Sequence, residues 1–569
     1  MSNSPTSNPK SAENHFFEHF ATLATAPDGI ARLRELILLF AVQGKLGTQD
    51  AGDEPSNVLL ARIKKEKEQF EKTGEITVRK TKESNYSNFC VKKLPSKWEC
   101  RRLEDLSLLI TKGATPTSYG FQFLKKGINF IKVENVRNGQ IDKKSIQCFI
   151  SLEAHNSQSR SILQKGDLLF SIAGSIGTSS CFVREEDLPA NVNQALAIVR
   201  GTTTVFNPQY LLLFLRSNVA LDQVLCRSRG GAMNNISLDD IRNILVNIPP
   251  LAEQHRIVAK VDRLVALCEE LEARQQQERA GCLKLGTASF AGLQNAENLE
   301  EFGRLWAQVC DAFDLILDCP ENVAVLRQTI LQLAVQGRLV RQEPGDDPAS
   351  ILLEAIRKEK DRLIKDGKIQ KEKPLKFMNG DDVPFKIPNE WLWTYFGQIT
   401  FNRDGARIPI EKAERATRHG AYDYYGASGV IDTIDDYLFD KPLLLIGEDG
   451  ANLVNRSTPI AFIAHGKYWV NNHAHVLDGI SFEFLRYLEV YINSIDLRPY
   501  LTGMAQPKMN QAKMNSIPVP LPPLAEQHRI VAKVDTLMAL CDALEARLKE
   551  RAGVQGKLAN SIVRGDSDQ

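Results

Sequence analysis

The sequence predicts an α+β protein in which two β-rich domains of one fold are separated by repeated long helices. Two observations support this prediction. One is an internal repeat with helical periodicity, and the other is a pair of diverged segments, rich in short strands, between the repeats. The chain of 569 residues is long enough for several domains, and its composition of 43% hydrophobic and 25% charged residues is typical of globular proteins.

The clearest repeat is 26 residues long. Pro249–Arg274 (PPLAEQHRIVAKVDRLVALCEELEAR) and Pro522–Arg547 (PPLAEQHRIVAKVDTLMALCDALEAR) are identical at 22 positions. A second pair lies upstream, because Leu33–Ile76 and Leu326–Ile369 align without gaps and share 22 of 44 residues. The chain therefore consists of two halves, each with a repeat, a variable segment and a second repeat in the same order.

Each copy of the 26-residue repeat has apolar residues at alternating spacings of four and three, which indicates a helix that packs along one seam. The Pro–Pro pair before each copy prevents the helix from extending backwards. Two charged segments, Asn57–Lys72 and Ser350–Lys373, predict further helices. The predicted seam residues are Ile257, Val261, Leu264, Cys268 and Leu271 in the first copy and Ile530, Val534, Leu537, Cys541 and Leu544 in the second.

The variable segments contain short runs typical of strands, such as GINFIKV, DLLFSIAG, PLLLIG and PIAFIA, separated by Gly, Asn and Asp. Weak correspondences connect the two segments. Both begin with Pro followed by Trp (LPSKW and IPNEW), and VNQALAIVRG at 192–201 parallels VNNHAHVLDG at 470–479. This pattern predicts two domains of one fold with diverged loops, as expected of paired modules that recognise different targets.

Composition excludes some classes of protein. The sequence has no run of about 18 apolar residues, and its first residues (MSNSPTSNPKSAEN) lack a signal region, so we expect a cytoplasmic protein with no membrane partner. The ten cysteines form no CxxC pair, so we expect reduced, packed side chains. The net charge of +1 gives no support to a nucleic-acid partner, which must be argued from local features.

The chain resembles the specificity subunits of type I restriction–modification systems. The resemblance covers nearly the whole chain and rests on the LPSKW motif, the AVQGKL and AVQGRL helices, and above all PLPPLAEQHRIVAKVD. It implies two target-recognition domains, with the repeated helices packed as an antiparallel coiled coil of pseudo-twofold symmetry. The implied domains are an N-terminal helical region (1–93), a first recognition domain (94–248), a central helical region with linker (249–385), a second recognition domain (386–520) and a C-terminal helix (521–569).

The resemblance also implies a function. The chain would read a bipartite, asymmetric site on double-stranded DNA and hold two modification (methyltransferase) subunits and the restriction (motor-nuclease) subunits. S-adenosylmethionine, ATP and Mg would be used by those partners, and no cofactor would be bound by this chain. A stand-alone bipartite DNA-binding regulator is the alternative function, and a pure coiled-coil scaffold is a third that does not explain two large β-rich domains.

The sequence gives little support for catalysis by the chain itself. Asn247–Leu251 (NIPPL) differs from the Asn/Asp-Pro-Pro-aromatic motif that holds an adenine amino group, because an isoleucine interrupts it and a leucine replaces the aromatic residue. No GxxxxGK[ST] phosphate loop is present. His473 and His475, with His465 nearby, lack an evident further metal ligand, so a strand or a DNA-facing loop is favoured. We therefore predict no catalytic and no metal-binding residues.

DNA reading requires donors and acceptors on loops, with cations for the flanking phosphates. Residues 95–250 carry 18 Lys/Arg against 13 Asp/Glu, a net charge of +5, whereas residues 385–523 carry 13 against 15, a net charge of −2. The first-domain candidates are Lys112, Thr115, Thr117, Ser118, Tyr119, Lys132, Asn135, Arg137, Arg227, Arg229, Asn234 and Asn235. The second-domain candidates are Arg403, Arg407, Tyr422, Tyr424, Tyr425, Lys508, Asn510 and Lys513. For each of these residues, a solvated surface loop is the alternative interpretation.

Overall fold

The computed structural model describes residues 20, 23–73, 94–137, 139–174, 176–177, 179–201, 206–225, 236–371, 383–503 and 506–567. Its helices are α1 (Gly29–Gln43), α2 (Ser56–Lys72), α3 (Leu103–Leu106), α4 (Leu152–Ser157), α5 (Pro208–Arg216), α6 (Asn218–Leu225), α7 (Leu238–Arg242), α8 (Leu251–Asn295), α9 (Leu299–Asp311), α10 (Phe313–Leu317), α11 (Glu321–Val335), α12 (Ala349–Lys365), α13 (Phe396–Ile399), α14 (Lys412–Arg415), α15 (Asn452–Asn455), α16 (Phe482–Ser494), α17 (Gln511–Asn515) and α18 (Leu524–Ser567).

The strands are grouped in two segments, residues 99–248 and 392–521, with the helices α8 to α12 between them. They are β1 (Glu99–Arg102), β2 (Ser107–Lys112), β3 (Ile128–Ile131), β4 (Val136–Arg137), β5 (Gln140–Ile141), β6 (Phe149–Ile150), β7 (Leu168–Ser171), β8 (Ser180–Phe182), β9 (Ala190–Val192), β10 (Leu196–Gly201), β11 (Leu245–Ile248), β12 (Leu392–Tyr395), β13 (Phe401–Asn402), β14 (Tyr422–Gly426), β15 (Gly429–Ile434), β16 (Phe439–Asp440), β17 (Leu443–Gly447), β18 (Ala461–Ala464), β19 (Lys467–Val470), β20 (Ala474–Asp478) and β21 (Pro518–Leu521).

The two β-rich domains have corresponding strand orders. An antiparallel pair joins the first and last strands of each domain, β1 with β11 and β12 with β21. Each domain then contains a four-stranded sheet, of order β2-β10-β7-β8 in the first and β13-β20-β17-β18 in the second. A parallel pair, β3 with β9 and β14 with β19, is also present in both. The prediction of two β-rich domains of one fold is therefore confirmed.

The chain divides into two units, and each unit contains one β-rich domain. The first unit comprises residues 1–276 and 551–569, and the second comprises residues 277–550. The first unit therefore includes the beginning of α8 and the end of α18. The second unit includes the opposite ends of the same two helices.

The predicted seams lie in the cores of these units. The core of the first unit includes residues of α1, three seam residues of α8 (Ile257, Val261 and Cys268), and Ala559 and Ile562 near the end of α18. The core of the second unit includes residues of α11, three seam residues of α18 (Ile530, Val534 and Cys541), and Phe290 and Leu293 near the end of α8. The other predicted seam residues, Leu264, Leu271, Leu537 and Leu544, are half-buried and pack against these cores. Within each unit, the start of one long helix thus shares a core with the end of the other, as antiparallel pairing requires.

A short helix also contacts each seam helix, which the seam pattern did not anticipate. In the first unit the guanidinium of Arg34 on α1 lies 2.7 Å from the carboxylate of Glu272 on α8. In the second unit Arg327 on α11 lies 2.6 Å from Asp542 and 3.4 Å from Glu545 on α18. Because these arginines occupy equivalent positions of the upstream repeat, the two repeats of each half are contact partners.

A buried carboxylate joins three of the repeated motifs in the first unit. Glu253 accepts hydrogen bonds from Nε1 of Trp98 and from the hydroxyl of Thr48, both at 2.9 Å. Gly44, the glycine of AVQGKL, has a positive φ of 71°. A Cβ at that position would lie 2.5 Å from Cγ of Pro95, so this close approach requires glycine. The AVQG, Pro-x-x-Trp and LAEQ motifs therefore meet at one place.

The second unit repeats this arrangement. Glu526 accepts hydrogen bonds from Nε1 of Trp391 at 2.8 Å and from the side-chain amide of Gln342 at 2.9 Å. Gly337 has the same φ of 71°, and a Cβ there would lie 2.6 Å from Cγ of Pro388. The structure thus explains why these motifs occur twice: they attach each β-rich domain to its helices.

Glu253 provides a test of this attachment through pH. Burial raises its pKa, and the hydrogen bonds from Trp98 and Thr48 offset this only in part. A carboxyl whose folded-state pKa is raised contributes stability below its unfolded pKa, near 4.5, and this contribution is lost as the pH rises through the folded-state pKa. We expect Glu253→Gln to flatten this part of the pH dependence of the denaturation midpoint, because glutamine can accept from Trp98 and donate to Thr48.

Glu269→Gln, at an exposed position on the same helix, is the matched control and is expected to leave the pH dependence as in the wild type. Denaturant unfolding between about pH 4 and pH 8 gives the midpoints. Parallel curves for the wild type and Glu253→Gln would contradict the assignment.

Two sequence expectations need correction. The charged segment predicted as a helix over Ser350–Lys373 contains a helix that ends at Lys365, and residues 366–371 are not helical; residues 372 and 373 lie outside the described residues. Cys100 is disulfide-bonded, so the expectation that all cysteines are reduced is wrong for this residue.

No helix among the described residues is both long enough and apolar enough to span a membrane.

Candidate nucleic-acid interface

In the first domain, three segments meet at one edge of the four-stranded sheet. Strand β10 is antiparallel to β2 and to β7, so the ends of β2 and β7 lie beside the beginning of β10. The backbone N–H of Gly113 donates to the carbonyl of Leu196 at 3.2 Å. A Cβ at Gly113 would lie 2.1 Å from the carbonyl oxygens of Val192 and Asn193, so the two segments approach closely. We call this edge the first loop edge; it comprises residues 112–119, 172–177 and 193–195, of which 175 lies outside the described residues.

Five of the predicted DNA-binding residues are on the first loop edge. Lys112, Thr117, Ser118 and Tyr119 are exposed, and Tyr119 is 59% exposed. The hydroxyl of Thr115 donates to the side-chain oxygen of Gln194 on the facing segment. These donors and acceptors are therefore accessible on one edge of the domain.

The next three candidates, Lys132, Asn135 and Arg137, have unequal roles. Asn135 is buried, accepts from the backbone N–H of Lys132 at 2.9 Å and donates to the carbonyl of Ser145 at 2.8 Å. These bonds shape the turn and remove Asn135 from the predicted surface. Arg137 is exposed, and the ammonium of Lys132 lies 5.7 Å from the ring centre of Phe123. Arg227, Arg229, Asn234 and Asn235 lie outside the described residues.

The second domain brings the corresponding segments together. Strand β20 is antiparallel to β13 and to β17, so residues 403–410, 448–451 and 471–473 lie at one edge of that sheet. A bridge between Asp449 and Lys508 adds a fourth segment. We call residues 403–410, 448–451, 471–473 and 506–510 the second loop edge.

A buried imidazole connects segments of this edge. Nδ1 of His475 lies 2.6 Å from a carboxylate oxygen of Asp404, and Nε2 lies 2.9 Å from the carbonyl oxygen of Met509. Both partners are acceptors, so an imidazolium that donates from both nitrogens satisfies them. Burial alone disfavours the charged ring, but the bond to Asp404 and the charge of Glu448 prevail and raise the pKa of His475. The pKa of Asp404 is lowered. Burial alone would raise it, but the hydrogen bond and charge of His475 and the charge of Arg407 outweigh that effect.

Two of the predicted DNA-binding cations are paired with one carboxylate of this cluster. Arg407 lies 3.0 Å from Glu448 and also donates to the carbonyl of Ala474 at 2.6 Å. Lys508 lies 3.2 Å from the other oxygen of Glu448, and its side chain is about half exposed. Arg407 is therefore a mainly structural ion-pair partner, whereas Lys508 remains accessible.

Of the other second-domain candidates, Arg403 and Asn510 belong to the second loop edge, and the rest lie outside it. Arg403 donates to the carboxylate of Asp478 at 3.2 Å, and Tyr424 is fully buried with its hydroxyl bonded to the backbone at Ile410. Burial removes Tyr424 from the predicted surface. Tyr422 and Tyr425 are half-buried, whereas Asn510 and Lys513 are exposed at the beginning of α17, where the Asn510 side chain accepts from the Lys513 N–H.

Four accessible or partly accessible residues of the loop edges are absent from the predicted DNA-binding residues: Gln194, Asp449, Asn472 and His473. A signal was present, because the parallel between VNQALAIVRG and VNNHAHVLDG places Gln194 and Asn472 at equivalent positions. The side chains of His473 and Asp449 are hydrogen-bonded, with Nδ1 2.8 Å from the carboxylate oxygen. Within the described ranges, no group of three or more His, Cys, Asp or Glu side chains could hold a metal ion.

Comparison with known families gives a direct match. The family described as "Type I restriction modification DNA specificity domain" matches residues 95–279 and 399–552. Each match covers most or all of one β-rich domain and the first part of the long helix that follows it. The matches together cover more than half of the chain, and the protein belongs to this family.

Two relatives extend the similarity to 94% of the chain. The chain is 28% identical to the type I restriction enzyme EcoEI specificity subunit of Escherichia coli, over 94% of this chain and 93% of that protein. It is 27% identical to the EcoAI specificity subunit of Escherichia coli, with the same coverage of both chains. The crystal structure of an HsdS subunit from Thermoanaerobacter tengcongensis is 18% identical, with a TM-score of 0.42 over 83% of this chain and 98% of that chain.

Proposed function

We propose that this chain is the non-catalytic specificity subunit of a type I restriction–modification enzyme and that each β-rich domain reads one half of an asymmetric, bipartite DNA site. The observation that carries the proposal is the pair of domains of one topology, which present different chemistry on equivalent loop edges. Two domains that share a topology but present different side chains are suited to a DNA site whose two halves differ in sequence.

The repeated helices support a partner in two copies. Leu267 on α8 and Leu540 on α18 occupy the same position of the 26-residue repeat, and both are exposed, at 52% and 61%. An exposed apolar residue in two nearly identical helical settings suits two copies of one partner. We assign these partners as two modification subunits, to which restriction subunits are added.

The charge of the domains supports dependence on those partners. The first domain carries a net charge of +5 and the second a net charge of −2 over the residues counted above. Phosphate binding by Lys and Arg provides much of the affinity of most DNA-binding proteins. A second domain with a net negative charge suits recognition in which the partners supply part of the phosphate contact. We assign S-adenosylmethionine, ATP and Mg to the partner subunits. We also propose that the assembly acts in the cytoplasm.

The test is methyl transfer with and without the modification subunit. We expect the purified chain alone to transfer no methyl group and to bind DNA weakly or with poor specificity. Addition of the cognate modification subunit and S-adenosylmethionine is expected to produce specific binding and adenine methylation, measured with labelled S-adenosylmethionine. Methyl transfer by the chain alone would contradict the proposal. Tight, sequence-specific binding by the chain alone would favour the stand-alone regulator.

A further inference from the structure

The strand registers make the two loop edges comparable residue by residue. In the first domain, Ala197 of β10 lies opposite Phe170 of β7. In the second domain, His475 of β20 lies opposite Ile446 of β17. This register aligns Ala197 with His475, in agreement with the parallel between VNQALAIVRG and VNNHAHVLDG.

A backbone hydrogen bond supports the same alignment. The N–H of Ile236 donates to the carbonyl of Ile172 at 3.1 Å, and the N–H of Met509 donates to the carbonyl of Glu448 at 2.8 Å. In both domains the donor immediately precedes the N-cap residue of a short helix, α7 or α17. Ile172 and Glu448 are therefore equivalent positions.

The chemistry at equivalent positions is different. The segments KGAT at 112–115 and DGAR at 404–407 lie at the end of the edge strand that pairs with β10 or β20, with Lys112 as the last residue of β2 and Asp404 two residues after β13. Only one of the six first-domain positions is ionisable, whereas all six second-domain positions are. The equivalent pairs are Lys112 and Asp404, Thr115 and Arg407, Ile172 and Glu448, Ala173 and Asp449, Ala195 and His473, and Ala197 and His475.

The ionisable groups at the second loop edge, together with His475 beside it, differ in exposure. Asp404, Glu448 and His475 lie below the surface, and their bonds to one another's segments fix the positions of the loops. The Asp449 side chain is 17% exposed and is hydrogen-bonded to His473. The side chain of His473 is 51% exposed. The backbone N–H of Glu448 donates to the backbone carbonyl of His473 at 2.8 Å.

The bond to Asp449 orients His473 for contact with a ligand. An ionised carboxylate only accepts, so Nδ1 of His473 carries the proton and Nε2 points away from the pair. In the neutral ring, Nε2 is an acceptor and matches the exocyclic amino groups of adenine and cytosine in the major groove. His473 and Asp449 therefore present a hydrogen-bonding group for base recognition, on loops whose backbone is held by hydrogen bonds.

We propose that His473 contacts a base of the half-site read by the second domain, that Asp449 positions it, and that Thr115 with Gln194 has the corresponding role in the first domain. The inference rests on the proposed function. In the first domain the Thr115 hydroxyl donates to the side-chain oxygen of the exposed Gln194, and the amide nitrogen of Gln194 then points away as a donor. The two domains thus use unlike readers on equivalent edges.

The experiment uses the chain assembled with its cognate modification subunit. Sequencing of methylated adenines gives the wild-type site, and duplexes with single base-pair substitutions give the discrimination at each position. We expect His473→Ala to lower discrimination at one or two base pairs of the second half-site by about 5- to 150-fold. Discrimination in the first half-site is expected to remain unchanged.

His465→Ala is the matched control, because His465 is an exposed histidine of the same domain that follows β18, at the other end of the sheet. It is expected to leave discrimination unchanged. Asp449→Ala is expected to act like His473→Ala, whereas Asp449→Asn, which keeps an acceptor for Nδ1, is expected to restore most of the discrimination. Gln194→Ala is expected to affect only the first half-site.

The outcomes separate the inference from the proposed function. If the wild-type assembly methylates no bipartite site, the proposed function fails. If it does, and His473→Ala discriminates as the wild type does at every base pair of the second half-site, the inference is wrong. It is also wrong if His473→Ala alters the first half-site instead, or if Asp449→Asn behaves like Asp449→Ala.

Discussion

Replacement of residues 99–248 by the corresponding domain of a relative is expected to change one half of the DNA site completely and to leave the other half as it is. The two junctions are adjacent, because Glu99 of β1 and Ile248 of β11 are paired residues of one antiparallel ladder. Trp98 and Glu253 remain outside the exchanged segment, so the attachment to the helices is preserved. The effect is large because the whole loop edge of the first domain is exchanged.

Genome-wide mapping of methylated adenines in cells that carry the chimera measures both half-sites at once. The reciprocal control exchanges residues 392–521, whose first and last members are also ladder partners, and it is expected to change only the other half-site. Simultaneous change of both half-sites in either chimera would show that the domains do not read independently.

The variant Ile530→Asp is expected to destabilise the second unit by several kcal/mol, because a carboxylate cannot be hydrated at a fully buried position. Ile530 is a seam residue of α18 and belongs to the core that includes α11. Denaturant unfolding with hydrogen exchange resolved by segment measures each unit separately. We expect the loss of protection to be largest in residues 321–335 and 524–550.

Leu540→Asp is the matched control, because Leu540 lies on the same helix and is 61% exposed. Its stability is expected to change by less than about 0.5 kcal/mol, as for most surface substitutions. Equal effects of the two variants on unfolding would mean that the seam of α18 does not face the core of the second unit.

The two long helices and the presence of two β-rich domains could be predicted because they are determined by local patterns. The four-three spacing of the seam residues and the Pro–Pro pair specify where α8 and α18 begin and which faces they bury. The partner of each seam could not be derived, since α1 and α11 reach it through tertiary contacts such as that of Arg34 with Glu272. The same limit applies to Cys100, whose bonding depends on spatial proximity and not on a spacing motif.

The loop edges could be predicted only in part. Lys112 and Thr115 were found because polar residues after a strand indicate an exposed loop. The sequence predicts a DNA contact for Arg407 because its sequence neighbours do not reveal Glu448, 41 positions away, with which it is paired. The sequence indicates only a strand or a DNA-facing loop for His473, since the orientation of its ring depends on Asp449, a residue of another loop. Contacts between loops therefore decided which polar side chains remain available.

The participation of the end of α18 in the first unit has a consequence for protein synthesis. Ala559 and Ile562 are buried in a core whose other residues end at Cys268. At about 5–20 residues per second, the ribosome needs roughly 14–55 s to travel from Gln276 to Arg551. During that interval the apolar surface of the first unit that the end of α18 covers is exposed, because that part of α18 has not yet been synthesised. Chaperone binding to the growing chain is therefore expected to continue until translation has passed residue 551, and a prematurely terminated chain would expose that surface permanently.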